Sequence, residues 1–364
     1  MNVTIVGAGI VGCATAYELA SRGARVRIVD PRGPGWGATR ASAGVLAPHI
    51  EGHSEELLKL ASCSLGHYDS FIARVAADAQ QPVEYRRTGT LQVAQDEQEA
   101  QELARAARRL EIAQVPHTLL EGDAVRHLEP ALAAGIAAAL LVPHHGYVGV
   151  AALMSAVVEA LSRHSATFSV AGVQRIERTS NGVELTTSAG TIAADAVVLA
   201  AGSWSGSMSM APAIPPPVRP IRGQLVHLRF PEPPLSRVIW GTRGYLVPWQ
   251  DGSLLVGATS EDVGFDERAT AAGVQGLLER AGELVPAART ARFVEVRVGL
   301  RPLTADELPV IGASSTMRGV YYATGHYRNG VLLAPLTALM IADLLLDGRE
   351  RQEHAAVRPD RFGL

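Results

Sequence analysis

Residues 3–30 restrict what this chain can fold into more tightly than any other stretch. The β-branched run Val3-Thr4-Ile5-Val6 suits a fully buried parallel strand. Gly7-Ala8-Gly9-Ile10-Val11-Gly12 follows at once, and then CATAYELASRG, an amphipathic helix that Gly23 can end. A second apolar run, ARVRIVD, closes on Asp30. Strand, glycines, helix, strand and terminal acid within about 30 residues make a dinucleotide-binding βαβ unit.

Each glycine has a physical task in such a unit. Gly7 permits the tight turn, Gly9 lets the backbone approach a pyrophosphate, and Gly12 lets helix and strand pack closely. The helix N-terminus offers unpaired N–H groups and a positive dipole end to the phosphates. Asp30 is placed to accept hydrogen bonds from ribose hydroxyls. A glycine-rich turn alone also occurs in loops without ligands; here all five features agree.

The continuation favours FAD over NAD. A small-residue segment, GWGATRASAGVLAPHI (35–50), stands where an NAD enzyme normally continues with another βα unit. Further on, TIAADAVVLAAGSWSG (191–206) holds a buried strand, AVVLA, and then Gly202, where backbone passes close to something.

Composition excludes several other classes. The 364 residues suffice for two domains, and 47% hydrophobic with 19% charged residues marks a folded chain. A formal charge of −3, with arginines scattered, gives no basic patch for nucleic acid or anionic membrane. Cys13 and Cys63 are too few for a disulfide framework and read as buried thiols in a reducing compartment. His49 and His53 lie four apart, but Gly52 between them spoils a helix and no third ligand is evident, so no metal is expected. The N-terminus lacks the charged region and cleavage site of a signal peptide. VLLAPLTALMIADLLL (331–346) falls short of the roughly 18 residues that span a bilayer and contains Pro335 and Asp343, so it reads as a buried helix. A cytoplasmic protein without a membrane span is expected.

Outside the nucleotide unit, VEYRRTGTLQVA (83–94) alternates like a strand pair, as do LVHLRF (225–230) and SLLVGAT (253–259). The charge-dotted stretch 94–110 reads as an exposed helix, and the proline-rich 211–220 as a crossing between domains.

GAGIVG, ATRASAGVLAPH, AGSWSG, RGYLVPWQDGSLLVGAT, GLRPLTADELPVIG and GHYRNGVLLAP together resemble the FAD-dependent amino-acid oxidase group. This group includes the D-amino-acid and sarcosine oxidase-like enzymes, and the glycine oxidases of bacterial thiamine synthesis are most similar. The resemblance runs from Met1 to about Asp347. It implies an α/β fold: a discontinuous Rossmann-like FAD domain (1–82, 148–216, 298–364) and a substrate domain on a mixed or antiparallel sheet (83–147, 217–297). It also implies a homotetramer.

By the same resemblance Ile10 and Val11 lie beside the pyrophosphate, with Asp30 and Pro31 near the ribose. Ala38 and Thr39 approach the phosphates; Ala43, Gly44 and Val45 approach the flavin; Val173 meets adenine through its backbone. His326, Tyr327, Arg328, Asn329, Gly330, Val331 and Leu332 form a polar cluster entering a helix whose N-terminus faces the flavin N1–C2=O edge. Tyr245, Arg301 and Arg328 are carried to the carboxylate end of an amino-acid substrate. A guanidinium there would hold the carboxylate bidentately, with Cα over flavin N5 for hydride transfer. His326 is read as a backbone anchor beside the flavin.

Each residue also has a plainer reading. Arg301 could pair with Asp306 or Glu307, Arg328 could serve the flavin, and Tyr245 could be a core tyrosine with a satisfied hydroxyl. The chain departs from the family at Arg297-Val298, where a Trp-Ala pair is usual before Gly-Leu-Arg-Pro. No cysteine after Cys63 can link a flavin covalently, and His49 is the one other candidate for a link. The expected activity is oxidation of glycine, sarcosine or small D-amino acids with O2 as acceptor, giving 2-oxo acid, ammonia or amine, and peroxide. A dehydrogenase passing electrons to a quinone or partner protein, and a flavin-dependent RNA-modifying or FAD-binding protein, are the alternatives.

Overall fold

A computed structural model describes residues 1–50 and 53–364. Gly52, on which the reading of His49 and His53 partly rests, lies outside the described residues. A six-stranded sheet runs in the order Val310–Ala313, Val320–Thr324, Ala196–Leu199, Asn2–Val6, Arg25–Asp30, Thr167–Val170. All its neighbours are parallel except the antiparallel edge strand Val310–Ala313. The buried AVVLA run therefore sits beside the first strand, with Val198 opposite Ile5.

The helix Ile10–Ser21 differs from its sequence reading. It is buried from Ile10 to Ala20, with Val11 half-buried, rather than amphipathic. It is enclosed by the sheet, by Val150–Arg163 and by the C-terminal helix Gly330–Asp347, and Phe71 and Arg74 of Glu55–Ala79 reach its Tyr17 and Glu18. Its one buried acid, Glu18, is neutralised by Arg22 and Arg74.

The C-terminal helix is longer than read, at 18 residues, and by length and composition it could cross a membrane. Yet 72% of its apolar window is buried inside the protein. Its buried Asp343 is held by Arg22, Arg349 and Arg351. Pro335 has no N–H for the Val331 carbonyl, four residues earlier. The Tyr68 hydroxyl, from Glu55–Ala79, supplies that hydrogen bond at 2.5 Å, and Ser64 donates to the Leu332 carbonyl at 2.6 Å.

A second, eight-stranded sheet is ordered Arg292–Leu303, Arg219–Arg229, Ser253–Gly257, Gly244–Pro248, Val238–Gly241, Thr90–Ala94, Ala138–Val142, Thr118–Glu121. It is antiparallel apart from the parallel pair Val238–Gly241 with Thr90–Ala94. The mixed sheet thus matches the expected fold class. Within 83–94 the two strands do not pair with each other. Tyr85–Arg86 joins a small sheet with Gly146–Val148 and Val45–Leu46, whereas Thr90–Ala94 enters the large one. Glu97–Ile112 is amphipathic rather than simply exposed, burying Leu103, Ala107 and Leu110. Arg292–Leu303 is one continuous strand through position 298, paired along its length with Arg219–Arg229.

Candidate active site

Between the two large sheets lies a cleft of about 530 Å³. Every site residue read from the sequence lines it except Gly12, which lies beneath. A Cβ on Gly12 would come within 2.0 Å of the Gly7 carbonyl oxygen, and one on Gly7 within 2.3 Å of that of Ala200. Both glycines are therefore required by backbone packing. Gly9 is different. Its Cβ would meet only the Thr39 hydroxyl, at 3.2 Å, so the space above it belongs to the cleft.

At this end of the cleft the helix Ile10–Ser21 starts its own ladder with Cys13 N–H to the Gly9 carbonyl, 2.9 Å. The Thr39 hydroxyl accepts from Ile10 N–H at 3.0 Å, leaving the amides of Val11 and Gly12 to face the cleft end of the helix. Asp30 lines the cleft, but much of its carboxylate is committed to the chain. It accepts from the amides of Ala8 (2.9 Å), Arg32 (2.7 Å) and Gly33 (3.0 Å), which shape the glycine turn and the turn after it. The Ala171 amide bonds to the Asp30 carbonyl at 3.2 Å, which brings Val173 to the same end.

Three lining residues here were not anticipated. The Arg32 guanidinium stacks 4.5 Å over Trp204 and pairs with Glu267 at 3.0 Å. The 235 residues between Arg32 and Glu267 leave no trace of the pair in local pattern.

The polar cluster forms a tight turn at the mouth of the C-terminal helix. Tyr327 donates its amide to the Pro302 carbonyl (2.8 Å) and takes φ +45°, while Asn329 N–H closes onto the His326 carbonyl (2.8 Å). A left-handed tyrosine is a strained conformation, held here by both bonds. Arg328 lies 5.1 Å over the Tyr327 ring. His326 is buried, and its Nε2 is bonded to Thr337 Oγ1 at 3.0 Å. Burial pushes its pKa down to about 3. The imidazole is neutral and tied into the helix.

The other end of the cleft is made by the eight-stranded sheet. Arg301, on Arg292–Leu303, lies flat against Gly223 on the neighbouring strand, where a Cβ would fall 2.4 Å from its guanidinium carbon. Its Nη1 donates to the Thr259 carbonyl at 2.9 Å. The ion pairs considered for it do not form. Asp306 pairs with Arg361 instead, and among the described residues no carboxylate bridges Arg301. Tyr245 stacks on Trp240 with centroids 4.9 Å apart, and its ring covers Gly257, where a Cβ would lie 2.4 Å from Cζ.

Gly223 and Gly257 are thus parts of the site that the sequence reading missed. An isolated glycine inside a strand pattern is the signal that could have found them. Arg297 and Val298 do not line the cleft. Arg297 turns to Glu295, His227 and Trp249, so the departure from the family pattern leaves the cleft wall untouched.

No third ligand beside His49 and His53 is evident in the sequence, yet the structure gives His49 two other histidine neighbours. The strand pairing that sets Leu46 opposite Gly146 brings His144 and His145 to His49, with ligand nitrogens within 4.8 Å of one another. Two of these rings are hydrogen-bonded to each other. His49 Nδ1 and His145 Nε2 are 2.9 Å apart in rings tilted by only 10°, with centroids 5.2 Å apart. Centroids that far apart across such a short contact require the rings to lie end to end, one nitrogen donating its N–H to the lone pair of the other. His145 Nδ1 is bonded in turn to Thr90 Oγ1, at 2.8 Å.

The sequence profile of the FAD dependent oxidoreductase (DAO) family matches residues 2–344, and the chain belongs to that family. It is 36% identical to the glycine oxidase of Geobacillus kaustophilus over 359 residues, 97% of this chain and 94% of that one. It is 34% identical to the bifunctional ThiO/ThiG protein of Trichormus variabilis, covering 95% of this chain but only 53% of that protein. The crystal structure of the Geobacillus kaustophilus glycine oxidase superposes with a TM-score of 0.92 at 35% identity, over 98% of this chain and 97% of that one. That of an iminodiacetate oxidase from a Chelativorans species gives 0.89 at 27% identity, over 98% of each. The chain is an FAD-dependent oxidoreductase, and the space over Gly9, the helix-end amides and a cleft lined from Val173 to the start of the Gly330 helix fit the dinucleotide.

Proposed function

We propose that the protein is a glycine oxidase-like enzyme that oxidises small amino acids at Cα, with O2 as the final acceptor. One observation carries this reading: a guanidinium in the FAD cleft, fixed by backbone on two sides and bridged to no carboxylate among the described residues. Of its five N–H donors one goes to Thr259, and a bidentate carboxylate is the ligand its fork geometry suits. The names of the relatives, glycine oxidase and iminodiacetate oxidase, agree with an amino-acid carboxylate.

Bound FAD supplies a two-electron acceptor for the hydride from Cα. The chain's own residues bind and orient. Arg301, with Tyr245 and Arg328, fixes the carboxylate and hence the direction of the Cα–H bond. Loss of hydride from the neutral amine leaves a protonated imine, whose extra proton stays on nitrogen as water hydrolyses it to 2-oxo acid and ammonium. His326 is not a base for this step, because its low pKa and its bond to Thr337 oppose protonation. A substrate amine bound neutral requires none. The FAD is held non-covalently in this reading, as neither cysteine nor His49 lines the cleft. The six-stranded sheet serves the cofactor and the eight-stranded sheet the substrate.

Arg301→Lys tests the clamp by keeping the charge and losing the fork. A charge-assisted hydrogen bond contributes roughly 1.5–3 kcal/mol, so kcat/KM for glycine should fall about 10–100-fold with FAD content unchanged. Equal damage to amines without a carboxylate, accompanied by lost flavin, would overturn it. A panel of amino acids, scored for flavin bleaching without oxygen and for peroxide with it, tests the acceptor. Glycine, sarcosine and small D-amino acids should react, and rapid turnover of L-alanine would contradict the geometry.

A further inference from the structure

Arg301 is aimed by two pieces of backbone, the Thr259 carbonyl at its edge and Gly223 beneath its face. Neither piece belongs to the strand that carries Arg301. Gly223 lies in Arg219–Arg229, and Thr259 follows the strand Ser253–Gly257. The two strands pair as far as Leu225 opposite Gly257, and Thr259 N–H reaches the Gln224 carbonyl at 3.2 Å, but any shift in either segment beyond that pair would redirect the guanidinium.

Glu261 sits between them. Its Oε1 accepts from Gln224 Nε2 (2.7 Å) and from the Thr259 hydroxyl (2.6 Å), and its Oε2 accepts from Arg222. Arg222 and Gln224 are the two residues flanking Gly223, and both are buried. The Thr259 hydroxyl also accepts from the Gln224 amide at 2.9 Å. Backbone bonds between Arg222 and Glu261, 2.8 and 2.9 Å, run alongside. A single carboxylate therefore joins both neighbours of Gly223 to the residue whose carbonyl holds Arg301. Asp266 and the Arg268 carbonyl accept from Nη1 of Arg222, so both terminal nitrogens of that guanidinium are held.

We infer that Glu261, acting through Thr259 and the Arg222–Gln224 segment, is a positioning residue that sets the direction of the Arg301 guanidinium and thereby the affinity of the site for carboxylates. The inference rests on the carboxylate clamp proposed for Arg301. Burial alone would raise the Glu261 carboxyl pKa, but the hydrogen bonds from Arg222, Thr259 and Gln224 outweigh this and leave it below the ordinary value, so it is ionised throughout the neutral range.

The test uses the FAD-loaded enzyme with Glu261→Gln, Thr259→Val and the conservative Thr259→Ser. The readouts are the Kd of acetate from the flavin absorption spectrum, KM and kcat for glycine, flavin content and Tm. Thr259→Val removes the hydroxyl that donates to the Glu261 carboxylate and accepts from Gln224 N–H, and should weaken acetate and raise KM by about 3–10-fold, with kcat and flavin content nearly unmoved. Glu261→Gln should do the same or more, and Thr259→Ser should restore wild-type binding. A double-mutant cycle of Thr259→Val with Arg301→Lys should be non-additive, since both act through one guanidinium. Lower Tm with unchanged acetate affinity would make Glu261 merely structural and overturn the inference. If Arg301→Lys itself leaves acetate binding intact, the clamp fails first and the inference falls with it. If Arg301→Lys weakens acetate but neither Glu261→Gln nor Thr259→Val does, only the positioning role is lost.

Discussion

The two ends of the cleft both depend on glycine, for opposite reasons. At the nucleotide end, Gly7 and Gly12 allow backbone to pack on backbone, and Gly9 leaves open space for a ligand. At the substrate end, Gly223 and Gly257 leave room for the protein's own side chains, Arg301 and Tyr245. The first end is built within 30 consecutive residues, with a helix N-terminus as its charged element. The second draws on strands spread from Arg219 to Leu303 and uses a guanidinium held by a distant carbonyl. A dinucleotide offers the same phosphates in every such enzyme, so a local motif suffices. A substrate carboxylate must be met at one point and angle, which takes several strands.

The sharpest way to break the comparison is at its glycines. Gly9→Val fills the space over the turn, and the purified protein should then lose its yellow colour and bound FAD altogether. Retained FAD would mean that the cofactor does not approach that backbone. Gly223→Ala puts a methyl 2.4 Å from the Arg301 guanidinium carbon, so the guanidinium must move. Displacing it loses the bidentate hydrogen bonds together, and kcat/KM for glycine should fall about 100-fold or more. FAD content should stay as in the wild type, which separates this variant from Gly9→Val. Equal loss of FAD in both would show that the two ends are not independent.

This difference also governs what could be read in the sequence. The βαβ unit and the buried strand Ala196–Leu199 were legible because their determinants are adjacent in the chain and periodic. The amphipathic reading of Ile10–Ser21 failed because its outer face is covered by a helix more than 300 residues away. In the same way, Tyr68 completing the hydrogen bonding of the Pro335 helix, the Glu261 linkage and the stacking of Arg32 on Trp204 are long-range pairings without local signature. His144 and His145 are adjacent in sequence, yet only the pairing of Val45–Leu46 with Gly146–Val148 shows that His49 meets them. Arg301, Arg328 and Tyr245 were named through resemblance and are found lining one cleft, but nothing in local pattern disclosed the glycines beneath them.

The smallest expected effect concerns acid, and it sharpens the comparison electrostatically. Burial holds His326 at about 3; burial, and then His144, hold His49 at about 4. His145, bonded to His49, is held well below its ordinary value by burial too. All three folded-state values lie below the unfolded value of about 6.5, so between them the unfolded chain binds more protons than the folded one. Stability must then be lost as pH falls from about 6.5 toward 4. Glu261 at the substrate end behaves otherwise. Its lowered carboxyl gives a contribution that is complete above the usual carboxylate range and is lost as pH falls through that range toward the lowered value. Tm should therefore fall by a few degrees between pH 6.5 and 4.5, accompanied by fluorescence from released FAD. At pH 4.5 acetate should still bind the fraction that keeps its flavin. His49→Gln removes one titrating ring and should flatten the slope without lowering Tm at pH 7 by much. A flat Tm over that range in the wild type would show that these rings are hydrated rather than buried. An unchanged slope in His49→Gln would place the acid sensitivity elsewhere than in the His49–His145 pair.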